Sequence, residues 1–147
     1  MKPARVAVHR FGGLAVPAAC IVTTLLVPMQ AWACGEALAA QSRLLAKDAE
    51  LSIAFAASAK PISVGQHFTL DVYVCPEAGN AMPGGLKVSA DMPAHRHGMN
   101  YKTTVRALGH GRFAVEGLMF HMPGRWRFIF EVSTAKGTQR LTREIDV

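Results

Sequence analysis

The segment from Met92 to Met99 combines two kinds of side chain that bind transition metals. Within eight residues it carries two imidazoles, His95 and His97, flanked by two thioethers. Imidazole nitrogen suits several transition metals, whereas thioether sulfur singles out copper(I), so the mixture favours copper over zinc. A proline and a glycine inside the segment make a continuous helix or strand unfavourable, which predicts a loop that carries donor atoms.

A second pair of the same donors follows downstream, where His121 and Met122 precede Pro123 and Gly124. The competing interpretation needs no metal, because Met92 could end a strand facing the core and Pro-Gly fits an ordinary β-turn. With copper(I) favoured and copper(II) as the second ion, the candidate metal ligands are His95, His97, Met99, His121, Met122 and Met92.

Residues 1–33 have the layout of a secretory signal peptide. Three basic residues lie within the first ten, a nearly uncharged run covers 11–27, and Ala31-Trp32-Ala33 offers small residues at alternate positions. This pattern predicts cleavage after Ala33 and a periplasmic or otherwise exported protein. An uncleaved anchor is the alternative, but prolines bracket an apolar core shorter than the ~20 residues of a spanning helix.

The exported chain would keep two cysteines, Cys34 and Cys75. In an exported protein disulfides persist, so we expect one bridge from the N-terminal tail to the end of a strand. Two alternatives are a copper thiolate and a lipidated Cys34, although the bulky Trp32 argues against lipoprotein processing.

Charge and motifs exclude several function classes. The formal net charge is +6, and it falls to +3 once the three basic residues of the signal are removed. No basic run with interleaved aromatic residues supports nucleic-acid binding. The sequence has no nucleophile with an associated base and no Cys-x-x-Cys-His haem motif, so we expect a protein that is not an enzyme.

The hydrophobic pattern predicts an all-β fold, a seven-stranded immunoglobulin-like β-sandwich over residues 50–147. Residues 34–49 are rich in Ala, Leu and Gln and are expected to form a lead-in that could include a short helix. About 114 mature residues make a single domain. The predicted strands cover 51–57, 66–75, 86–92, 101–108, 112–120, 125–132 and 139–147.

The strand count also predicts where the donor atoms meet. In an antiparallel sandwich successive connections alternate between the two ends, so the third and fifth connections share an end. His95, His97 and Met99 lie on the third connection, and His121 and Met122 lie on the fifth. His110 and Met82 are expected at the opposite end.

Three segments, residues 91–99, 111–118 and 120–128, resemble the YtkA-like domains, which are related to the FixH-type proteins. The resemblance covers roughly residues 50–147 and implies an exported or membrane-anchored β-sandwich linked to copper handling or respiratory oxidase assembly. Matched by position, the residues that the resemblance implies are His95, His97, Met99, His121 and Met122. FixH-type proteins usually keep an N-terminal transmembrane helix, whereas this chain begins with a segment like a cleavable signal.

The leading hypothesis is therefore a periplasmic copper carrier or sequestering protein, in which loops at one end hold the ion and pass it to a partner. The alternative is a metal-free β-sandwich module that assists assembly of a membrane or respiratory complex, because this fold serves many unrelated tasks.

Overall fold

The computed structural model describes residues 34–40, 43–48 and 50–147. The predicted signal peptide, residues 1–33, lies outside the described residues, and its cleavage stays a prediction. Among the described residues, no helix is long and apolar enough to cross a membrane.

The described residues form nine β-strands. They are β1 (Leu44–Lys47), β2 (Leu51–Ala57), β3 (His67–Pro76), β4 (Gly85–Met92), β5 (His97–Gly98), β6 (Thr104–Gly109), β7 (Arg112–Met119), β8 (Arg125–Thr134) and β9 (Gly137–Asp146).

Two antiparallel sheets form a β-sandwich, which confirms the predicted fold class. One sheet has the order β1-β2-β3-β7-β6 and the other the order β5-β4-β8-β9. Without β1 and β5, this is the strand order of a seven-stranded immunoglobulin constant-type domain. The seven predicted strands are all present, and β1 and β5 are additional.

The lead-in contains a strand where a short helix was one expectation. Residues Leu44–Lys47 pair with β2 over four residues, and Ala46 is buried by this pairing. Alanine and leucine favour helices, but this is a weak preference that contacts with a neighbouring strand can override. The pairing therefore extends the first sheet by one strand.

The core lies between the two sheets, where alternate residues of each strand face inward. Along β3, Phe68, Leu70, Val72 and Val74 are buried while the residues between them are not. Aromatic rings fill much of the space at 0–1% exposure, namely Phe55, Phe120, Trp126, Phe128 and Phe130. Burying such rings is a major source of stability in a domain of this size.

A disulfide joins Cys34 to Cys75, as predicted, with the Cα atoms 5.7 Å apart. Cys75 lies next to the end of β3, opposite Ser52 in the register with β2. The bridge thus ties the N-terminal residues to the end of the sandwich opposite His67, where β3 begins. Since both sulfur atoms are in the bridge, neither is a thiolate ligand.

A β-bulge at Gly117 changes which residues of β7 face the core. Phe68 pairs with Leu118 while Leu70 pairs with Val115, so β7 has one extra residue here. Val115 faces inward before the bulge, and Leu118 and Phe120 face inward after it, all at 0% exposure. An extra residue in one strand has this effect because side chains alternate between faces.

Replacing Gly117 with alanine is expected to destabilise the fold by about 2–4 kcal/mol. The residue has φ +82°, and an added Cβ would lie 2.8 Å from the carbonyl oxygen of Lys102. The left-handed backbone alone costs roughly 1–2 kcal/mol for a residue with a Cβ, and the close contact adds to it. Urea unfolding measures the effect.

Gly65→Ala is the matched control. Gly65 has φ +75° but nothing within 4 Å of its added Cβ, so we expect only the backbone cost of about 1–2 kcal/mol. Equal losses in the two variants would show that the contact with Lys102 has no effect.

Candidate metal site at one end of the sandwich

The two donor segments lie at the same end of the sandwich. Strands β4 and β8 are antiparallel neighbours, with Asp91 opposite Arg127. The segment that follows β4 and the turn that precedes β8 are therefore adjacent, as the strand count predicts.

The first donor segment forms a tight turn and not an open loop. The backbone N–H groups of His95 and Arg96 donate to the carbonyl of Met92, at 3.0 and 2.9 Å. Arg96 adopts the left-handed conformation, with φ 56°. The chain then forms the two-residue strand β5, which places His97 opposite Met92.

Three imidazoles form a row across the two segments. The ring centres of His97 and His121 are 5.0 Å apart, and those of His95 and His97 are 5.8 Å apart. His95 is exposed, whereas His97 and His121 are partly buried. The row thus runs from solvent toward the core.

The inner end of the row rests on Trp126, which is fully buried. Its ring centre is 5.9 Å from that of His97 and 5.3 Å from that of His121, both in edge-to-face geometry. Sequence reasoning did not include this tryptophan in the site. The available signal was its position, two residues after Gly124 at the start of a strand.

The imidazole nitrogens differ in their hydrogen bonds. Nδ1 of His97 lies 3.2 Å from the carbonyl oxygen of Gly98. If Nδ1 carries the proton and donates it there, Nε2 keeps a free lone pair. Nδ1 of His121 is buried and has no hydrogen-bond partner among the described residues. A buried polar atom without a partner costs about 1–3 kcal/mol, and a bound ligand would remove this cost.

The three candidate methionines differ in burial. Met92 is 2% exposed within the core, and its methyl group lies against Gly124, where it would be 2.7 Å from an added Cβ. Met99 and Met122 are partly buried and pack against the edge of the same core. Met92 thus has the packing of a core methionine, while the other two retain some exposure.

Two carboxylates near the site, those of Asp91 and Asp146, form ion pairs with arginines. Both oxygens of Asp91 accept hydrogen bonds from Arg127, at 2.9 and 2.7 Å, and those of Asp146 accept from Arg125, at 3.0 and 3.3 Å. The bond from Arg125 lowers the pKa of Asp146 and raises the pKa of Arg125. The bond to Asp91 likewise raises the pKa of Arg127.

In the described part of the chain, no group of three or more His, Cys, Asp or Glu side chains is arranged to hold a metal ion. The imidazoles approach one another as pairs, so a third side-chain ligand in this geometry would come from another kind of donor, such as sulfur. Methionine is the type of residue that could supply it.

The other two histidines among the described residues do not join the row of imidazoles. His110 is in the turn between β6 and β7, at the opposite end, where the methyl group of Met82 approaches Gly111. His67 is at the site end on the exposed face of β3, and its ring contacts Tyr101 with centres 5.0 Å apart. Tyr101 lies in the loop before β6, not in a strand as predicted.

No protein-family model matches the chain, and no curated protein matches it. Among solved structures, it is similar to a DUF4426 family protein from Pseudomonas aeruginosa PAO1, with a TM-score of 0.52 and 8% sequence identity. The match covers 74% of this chain and 97% of the other. At this identity the likeness shows a shared β fold and nothing about activity.

Proposed function

We propose that this protein binds copper(I) in the periplasm, as a carrier or a sequestering protein. The ion would lie at the end of the sandwich that carries the candidate histidines and half-buried methionines, which we call the His–Met site. The observation that carries the proposal is the close approach of His97 and His121, whose ring centres are 5.0 Å apart. Nδ1 of His121 is also buried and has no hydrogen-bond partner within the described part of the chain. His95 is the outer imidazole, and Met99 or Met122 would supply sulfur.

The spacing of the two rings is close to that of a ligating pair. A metal ion about 2 Å from one nitrogen of each ring, at a bent angle, places the ring centres roughly 5–6 Å apart. The distance between His97 and His121 is at the lower end of this range.

The available donors favour copper(I) over harder ions. Of the neighbouring carboxylates, Asp91 and Asp146 bind arginines, and Cys34 and Cys75 are in a disulfide. Imidazole and thioether are the donors that the two segments themselves offer. Zinc usually takes cysteine, histidine or carboxylate, whereas thioether is a ligand for reduced copper.

The proposal includes the exported location and the finer identity as a YtkA-like domain. Support comes from the signal-like residues 1–33 and from the segments that resemble this family. His95 is exposed at the outer end of the imidazole row, which suits transfer of an ion to an acceptor. A membrane protein or an oxidase-assembly factor is the proposed partner.

The first test replaces the two half-buried thioethers. Met99→Leu with Met122→Leu is expected to lower copper(I) affinity by roughly tenfold or more, because leucine keeps the packing volume but removes the soft donor. Competition with a chromophoric copper(I) chelator under reducing conditions measures the affinity.

Met82→Leu is the matched control, since Met82 is 53% exposed at the other end and should leave copper(I) affinity unchanged. Copper(II) affinity should change less than copper(I) affinity in the double variant. If native protein fails to compete with the chelator, the copper proposal is wrong.

A metal-free interaction module is the second candidate, and one observation favours it. An apolar groove of about 460 Å³ opens at the same end, between β2 and β9. Val147, in its wall, pairs through its backbone with Gly124 of the candidate site. This candidate predicts copper binding no tighter than that of an unrelated histidine-containing sandwich, together with loss of partner binding in Ile62→Asp.

A further inference from the structure

We infer that Trp126 is a positioning residue of the His–Met site, which sets the distance between the two inner imidazoles. The inference rests on the proposed copper function. It concerns a residue that donates no ligand atom and acts through the side chains and the turn that it contacts.

Trp126 is itself held rigidly. It is 0% exposed and stacks on Phe120, with ring centres 4.5 Å apart and planes 22° apart. Phe120 directly precedes His121 and faces inward because of the bulge at Gly117. The indole therefore has a fixed place in the core just below the site.

The indole N–H fixes the turn that carries two candidate ligands. Nε1 of Trp126 donates to the carbonyl oxygen of Met122 at 3.0 Å. This bond runs from the second residue of β8 back to the middle of the turn. Loss of the donor would leave the Met122 carbonyl without this partner, and the turn would lose the bond that orients His121 and Met122.

The indole ring also contacts both inner imidazoles, those of His97 and His121. His97 lies in β5, and His121 lies in the turn before β8. Both rings contact the ring of Trp126 edge to face, with interplanar angles of 67° and 82°. Because both imidazole rings contact the same rigid indole, the indole sets their separation of 5.0 Å. Neither backbone segment sets this distance alone. Groups that hydrogen-bond to metal ligands and orient them commonly affect metal affinity by about 10–100-fold, and we expect an effect of this order from the indole.

The test uses the full chain carrying Trp32→Phe, so that Trp126 is the only tryptophan. Adding copper(I) to this protein should change Trp126 fluorescence until one equivalent has bound, because the ion would be held by rings that touch the indole. A second variant also carries Trp126→Phe. This substitution removes the N–H donor and reduces the ring surface that contacts the imidazoles, while keeping an aromatic residue in the core. We expect copper(I) affinity to fall by about tenfold or more.

Two comparisons separate positioning from general stability. Phe130→Leu weakens the same core four residues further along β8 and should keep copper(I) affinity within about twofold of native. Substituting 3-benzothienylalanine for Trp126 keeps the ring shape without the N–H, so it tests the hydrogen bond even if Trp126→Phe fails to fold. An affinity loss in this variant supports the inference.

The inference fails if copper binds the native chain but leaves Trp126 fluorescence unchanged. It also fails if the benzothienyl variant, and a folded Trp126→Phe, bind copper(I) as tightly as native protein. In the second result copper binding at the site survives, so the proposed function stands. Unchanged fluorescence would instead place the ion away from the two inner imidazoles and would overturn the proposed site as well. Absence of copper binding by the native chain would overturn both.

Discussion

Replacing both His97 and His121 with alanine is expected to lower copper(I) affinity on the order of 100-fold or more. The two imidazoles are 5.0 Å apart, and the variant removes both inner nitrogen ligands at once. Loss of a group that merely orients a ligand already costs about 10–100-fold. Chelator competition at fixed pH and ionic strength measures the change.

The matched control removes two histidines that the site does not use, His67 and His110, both exposed. Its copper(I) affinity should equal that of native protein. Thermal unfolding of all variants without metal checks that the fold is kept. His121→Ala should cost little stability, because it removes a buried nitrogen that has no hydrogen-bond partner among the described residues. Equal affinity losses in the two double variants would contradict the assignment.

Removing the Cys34–Cys75 bridge by changing both residues to alanine is expected to lower the free energy of unfolding by about 4 kcal/mol. The two cysteines are 41 residues apart, and closing a loop of this length restricts the unfolded chain by about that amount in the chain-entropy model. Urea unfolding of oxidised, reduced and variant protein measures it, and the last two should agree.

The same variant also tests the separation of the two ends. The bridge lies at the end of the sandwich away from His97 and His121, so the copper(I) affinity of the folded variant should remain native. A loss below about 1 kcal/mol would mean that the bridge adds little at this position. A large fall in copper(I) affinity would mean that the two ends are not independent.

The sandwich could be predicted because several of its core strands carry apolar residues at alternate positions over most of their length. Phe68 to Val74 in β3 and Trp126 to Phe130 in β8 carry apolar residues at every second position, and turns with glycine or proline separate the strands. Strands β1 and β5 could not be predicted. Strand β1 consists mainly of residues that favour helices. Strand β5 has only two residues, and they pair with β4 because the chain turns back after Met92.

The site was predictable only in part. The strand count was enough to bring His97 and His121 to one end, since it depends only on connection order. The contacts of the two imidazoles with Trp126 depend on the bulge at Gly117 and on the tight turn before β5. Neither feature produces a clear periodic pattern in the sequence. The strand alternation does place Trp126 in the core, but it says nothing of the imidazoles above it.

X-ray absorption at the copper edge of the copper(I)-loaded protein identifies the atoms bound to the ion. We expect a low-coordinate copper(I) ion with both imidazole nitrogen and thioether sulfur in its first coordination shell. The sulfur contribution should disappear in Met99→Leu with Met122→Leu and persist in Met82→Leu. A shell made only of nitrogen and oxygen in the native protein would contradict a mixed His–Met copper(I) site.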